Sequence, residues 1–193
     1  MAAPPVLRDI FNAYRARLGD EDDGILFEDE QSPINRLDVL VYRPTSAVDM
    51  TSFATIGMAA EEMTRAPGPG GGGRTELHLR RRGPLTRIEE HAVAVQLANL
   101  ALHPFITGAQ LNWGHMIGFH EDFPTFPGCR AVFLAGPLSG DDTDYIHTSV
   151  GAVRIVNVVP ITNAERERGR MLPPVDFARS LMEHADIFTG RPL

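Results

Sequence analysis

Apolar residues first recur at helical spacing near the N terminus. Leu7, Ile10, Phe11, Tyr14 and Leu18 share one side of a helix, with Arg8, Arg15 and Arg17 elsewhere. Pro5 opens that helix and Gly19 closes it. The pattern then changes. Residues 37–42 (Leu-Asp-Val-Leu-Val-Tyr) read as a strand stopped by Pro44, and residues 51–58 as a second strand pairing with it. Residues 74–79 alternate polar and apolar, as a half-buried strand does. Thr86 and Glu89 form a capping box for the longest helix, residues 86–103. Its polar stripe of Gln96, Asn99 and His103 is narrow, so the helix is expected to be buried against a sheet, with His103 capping its end before Pro104.

Residues 129–135 and 151–160 read as further strands, the latter central. Thr162 and Glu165 repeat the capping box for a short helix ending at Gly169. Phe177, Ala178, Leu181, Met182 and Ala185 mark a last amphipathic helix. The pattern predicts a single α+β domain, with a mixed or antiparallel sheet packed against the long buried helix and amphipathic helices at both termini. Residues 1–35, a helix and an acidic loop, are expected to belong to that same domain.

Composition narrows the class. A chain of 193 residues fits one domain and can bury a sizeable core. It has no apolar run long enough to span a membrane. Residues 1–5 lack the basic and apolar regions of a secretory signal, and Cys129 is the single cysteine, so a cytoplasmic location is expected. All 18 basic residues are arginine. The absence of lysine excludes a Walker A loop, Schiff-base catalysis and Ser-Lys pairs. The glycine-rich run at residues 67–73 leads into a strand and has no Lys-Ser/Thr ending, so it reads as a flexible loop instead of a phosphate cradle.

The net charge of −7 is concentrated at the N terminus, in Asp20, Glu21, Asp22, Asp23, Glu28, Asp29 and Glu30. Arg80-Arg81-Arg82 is only a local basic run, so nucleic-acid binding through a broad basic surface is not expected. The acidic segment reads either as a solvated loop or as a face for a basic protein partner.

Candidate chemistry centres on Trp113-Gly114-His115, which holds the only tryptophan. The motif fits a catalytic histidine, a metal ligand or a packing turn. His115 and His120 are five residues apart, which is not a helical metal-ligand spacing, and no His-Glu-x-x-His occurs. Neither Ser139 nor Ser149 sits in Gly-x-Ser-x-Gly. Cys129 reads as a small hydrophobe in an apolar strand. Asp38, inside an apolar strand, is the best candidate for a buried carboxylate and reads as a structural acceptor. No catalytic, cofactor or metal residue is expected. The rival reading is a small hydrolase centred on His115 with Asp122 or Ser149.

Several segments, taken in order, resemble the suppressor of fused (SUFU) domain family, especially its bacterial members. They are residues 37–42 with Asp38, residues 55–58 with Gly57, Glu76-Leu77, residues 112–117 with Trp113, Gly114 and His115, residues 156–160 with the helix from Thr162, and residues 186–192. The likeness makes residues 36–193 the suppressor of fused-like domain. The family usually carries glycine where this chain has Asn112. The resemblance implies a non-enzymatic binding module. Animal members hold transcription-factor peptides as an added strand, and bacterial members resemble immunity proteins of polymorphic toxin systems. It implies a protein partner, a cognate toxin, and carries no catalytic residue over. The acidic residues 20–30 would then suit a basic nuclease toxin, with a regulatory peptide-binding scaffold as the other binding role.

Overall fold

The computed structural model describes residues 4–63 and 73–191. Most of the glycine-rich run and Pro192 lie outside them. The described elements are helix α1 (Pro5–Leu18), strands β1 (Asp23–Glu28), β2 (Arg36–Tyr42) and β3 (Met50–Ile56), a 3-10 turn (Met58–Ala60), β4 (Arg74–Arg82) and α2 (Arg87–Thr107). They continue with β5 (Met116–Gly118), β6 (Ala131–Ala135), β7 (Tyr145–Thr148), β8 (Gly151–Ile161), α3 (Asn163–Gly169) and α4 (Pro174–His184). One mixed sheet runs in the order β1-β2-β3-β4-β8-β6-β5, with β7 also paired to β8. Among the described strands only β4 and β8 pair in parallel. The architecture is the expected α+β domain, and β8 is central.

Parity along β8 divides the core. Val156 and Val158 join the cluster packed against Val93, Leu97 and Leu100 of α2. Val153 and Ile155 join Val6, Ile10 and Tyr14 of α1, and Val159 and Ile161 join Phe177 and Leu181 of α4. Odd and even strand residues face opposite ways, so α1 and α4 cover one face and α2 the other. Residues 74–79 are therefore not half-buried. Thr75, Glu76, Leu77 and Leu79 are all buried because helices cover both faces of β4.

Two more expectations are corrected. The acidic loop contains a strand, β1, whose residues alternate between half-buried and exposed because it is the sheet's edge. The long helix runs through Pro104 to Thr107 and ends at Gly108 in the left-handed conformation. Proline removes one helical donor, yet Gly108 N–H still bonds Pro104 O and Thr107 Oγ1 donates to His103 O, so the last turn closes. His103 lies inside the helix and does not cap it. Both capping boxes, Thr86/Glu89 and Thr162/Glu165, are formed.

Candidate functional site

Trp113 and Gly114 form a turn stitched to β6. Gly114 N–H bonds Leu134 O at 2.7 Å, and Leu134 N–H bonds His115 O at 2.8 Å. Gly114 has φ +92°, and a Cβ there would lie 2.7 Å from Pro174 Cγ, so only glycine fits between the turn and the start of α4. The indole donates from Nε1 to Ile155 O at 3.1 Å, and its ring lies 5.4 Å from that of Tyr145 and 5.5 Å from the Arg154 guanidinium. His115 is exposed, with Nδ1 2.7 Å from Gln110 O.

The residues of the hydrolase reading have separate partners. Asp122 accepts from Gly128 N–H and Arg130 Nε at 2.8 and 3.0 Å, and these hold its carboxyl below the usual range. Ser149 N–H donates to Asp9 at 2.8 Å. Among the described residues no hydrogen bond joins His115, Asp122 and Ser149. Cys129 is buried just ahead of β6, and burial pushes its thiol pKa up. Among the described residues no group of three or more His, Cys, Asp or Glu side chains is placed to hold a metal ion.

Asp38 is not the buried carboxylate. Its side chain is 24% exposed and is gripped by Arg36 at 2.9 Å. Its charge stays near water because it faces the groove that α1 leaves open over β1 and β2. The buried carboxylates are Glu76, Glu90 and Glu165, the last being the capping-box acid of α3, where it also meets Arg191. Glu76 accepts from the backbone N–H of Gly57 and Ala59 at 2.9 and 3.0 Å and from Thr55 Oγ1 at 2.6 Å. It thereby holds the 3-10 turn after β3. Burial nevertheless pushes its pKa up to about 7. Glu90 takes both prongs of the Arg43 guanidinium at 2.7 Å, tying α2 to the end of β2. Sequence reasoning missed the burial of all three. The one signal was pairwise, since Gly57 and Glu76 fall in two of the segments that carried the resemblance.

The acidic segment divides into committed and free charges. Asp20 pairs with Arg15, Asp22 accepts the Arg43 N–H, and Asp23 pairs with Arg43 and Arg87. Glu28 lies 3.8 Å from Arg36, and Asp29 caps the Gln31 N–H. Glu21 and Glu30 pair with no cation among the described residues. These less committed acids rim a groove of about 1210 Å³ between α1 and the β1–β2 edge, closed at one end by Ala60 and Glu61.

Comparison with known proteins places this geometry. The sequence profile of the Suppressor of fused protein (SUFU) family matches residues 34–183. No curated protein matches. A SUFU homologue from Neisseria gonorrhoeae superposes with a TM-score of 0.72 at 14% identity, covering 94% of this chain and 92% of that one. A Sufu–Fu complex structure gives a TM-score of 0.67 at 16% identity over 96% of this chain and 86% of its counterpart. Drosophila Suppressor of Fused gives 0.68 at 16% identity, covering 95% of this chain but 48% of the fly protein. At these identities the structural likeness is one of fold.

Proposed function

The chain belongs to the suppressor of fused family, and we propose that it is a non-enzymatic protein-binding module, an immunity protein that neutralises a cognate polymorphic toxin by occlusion. The observation that carries this reading is the acidic rim at the β1 end of the sheet. Glu21, Glu28, Asp29 and Glu30 gather there beside an apolar groove. A basic toxin, such as a nuclease whose active site binds phosphate, would be steered onto such a face, and bound carboxylates would stand in for phosphate. Docking alone would block substrate access, so no chemistry from this chain is required. The family setting supports the same class, since one related structure is a complex of Sufu with Fu. The outer edge of β1, paired among the described residues only on its β2 side, offers a second binding mode through strand addition.

The test is to coexpress the chain with the toxin domains encoded beside its gene and assay each toxin's activity. Restored growth together with a stoichiometric complex is the expected result. Undiminished toxicity in the presence of soluble, folded chain would overturn the immunity role. Reversing Glu21, Glu28, Asp29 and Glu30 to arginine should slow association and weaken its salt dependence, and an unchanged on-rate would remove the steering argument.

A further inference from the structure

We propose that the groove between α1 and the β1–β2 edge is a docking site for a basic, apolar segment of a partner protein, its cations on the rim and its apolar side chains on the floor. The proposal deepens the binding-module reading and rests on it.

The floor is built by strand register. Gly24 lies opposite Leu40, and Leu26 opposite Asp38, so these side chains share the face that α1 covers. Helix α1, however, lies over β3, β7 and the 3-10 turn, and leaves the β1–β2 end of that face open. Leu7 and Phe11 form one wall, both only half-buried, and Leu40 and Ile56 form the base. Gly24, without a side chain, leaves the floor beside Leu40 uncovered. A Cβ built there would sit 3.7 Å from Leu40 Cδ2, an ordinary contact, and the backbone at Gly24 has no positive φ that would require glycine. A larger residue would therefore fit the strand and project into the groove over Leu40.

Charge identifies the occupant. Six carboxylates line the groove against two guanidinium groups, those of Arg8 and Arg36. Arg36 is already engaged by Asp38, and Glu21, Glu30 and Glu61 have no cationic partner among the described residues. An acidic or neutral segment would leave the rim's repulsion uncompensated, whereas a segment interleaving arginine or lysine with leucine-like residues meets both features. Groove and rim are contiguous, so charge and apolar contact act on one ligand.

The experiment measures binding of three labelled synthetic peptides to the full chain by fluorescence anisotropy: one alternating lysine with leucine, one alternating lysine with serine, and one alternating glutamate with leucine. The Lys-Leu peptide should bind saturably, and about tenfold or more tighter than either of the others. Gly24→Val, which places a side chain over Leu40 on the floor, and the double variant Glu28→Arg/Glu30→Arg should each weaken it about tenfold or more, while Glu183→Arg on α4 leaves it unchanged. Circular dichroism checks the fold of each variant, and the exposed double variant keeps the test decisive if Gly24→Val fails to fold. Equal binding of the Lys-Ser peptide, tighter binding of the Glu-Leu peptide, no saturable binding, or indifference to the double variant would overturn the proposal. Toxin neutralisation that survives both groove variants would sink the groove and spare the immunity role. Groove binding without neutralisation of any toxin would do the reverse.

Discussion

Glu76 lies beneath Gly57 and accepts its backbone N–H at 2.9 Å. The contact joins two strand ends across a turn that also closes one end of the acidic groove. Gly57 has φ +148°, and a Cβ there would fall 2.4 Å from Arg36 O. Gly57→Ala must therefore push β2 away from the turn as well as strain its own backbone. We expect a loss of about 3 kcal/mol or more in urea unfolding followed by Trp113 fluorescence. A change below about 1 kcal/mol would show that the turn can move without disturbing β2.

Two ionisable groups on β4, the buried Glu76 and the half-buried His78, give opposing pH dependences. Burial raises the Glu76 pKa to about 7, so the folded chain keeps that proton while the unfolded chain releases it. Stability from Glu76 is complete below about pH 4.5 and falls as pH rises towards 7. Burial, followed by the nearby Arg80, lowers the His78 pKa to about 4. The unfolded chain then takes up a proton that the folded one refuses, so stability from His78 is complete above about pH 6.5 and falls as pH drops towards 4. Each effect is about 3 kcal/mol, and they largely cancel in the wild type. Glu76→Gln should make stability rise between pH 4.5 and 6.5, and His78→Gln should make it fall over the same window. Denaturation midpoints across that range check both slopes, and two slopes of the same sign would refute the pairing.

Elements with one strong local signal were legible in the sequence. Both capping boxes, the N-terminal amphipathic helix and the start of the long apolar helix depend on residues a few positions apart, and they form where the spacing placed them. What depends on remote partners was not legible. The alternation in residues 74–79 reads as one wet face, yet the 3-10 turn after β3 folds over it and takes Glu76 into its backbone N–H groups. Acidic residues in a turn-rich stretch hid β1, whose half-buried Ile25 and Phe27 alternate over too short a span to stand out. Which acids of that stretch are free was also invisible, because Arg43 and Arg87, which engage Asp23, lie in distant segments.

The Trp113-Gly114-His115 turn can be tested residue by residue. Gly114→Ala combines a positive φ with a contact at 2.7 Å from the Pro174 ring, so it should destabilise by about 2–3 kcal/mol. His115→Ala removes one exposed bond to Gln110 O and should cost less than about 1 kcal/mol. If His115 were instead a catalytic base, its removal would leave stability unchanged and abolish a hydrolytic activity measurable in the wild type. The two readings are separated by assaying both variants for unfolding and for ester hydrolysis.

Arg43 and Glu90 fasten the end of β2 to α2 through a two-pronged ion pair in which Glu90 is only 2% exposed. Arg43→Met leaves that carboxylate with Arg87 alone, at 3.5 Å, and should destabilise by about 3 kcal/mol. Arg43 also reaches Asp23 at 3.2 Å, so the same change loosens β1 and with it the groove rim. Pairing Arg43→Met with Glu90→Met removes the unpaired charge and replaces it with apolar volume. The double variant should therefore recover most of the stability lost by Arg43→Met, giving a coupling of at least about 1.5 kcal/mol in a double-mutant cycle. Strictly additive effects would mean that Glu90 is neutralised by Arg87 without help from Arg43. Hydrogen exchange at the β1 amides provides the second readout: faster exchange in Arg43→Met, beyond what the global loss explains, is the expected sign that this ion pair sets the geometry of the acidic edge.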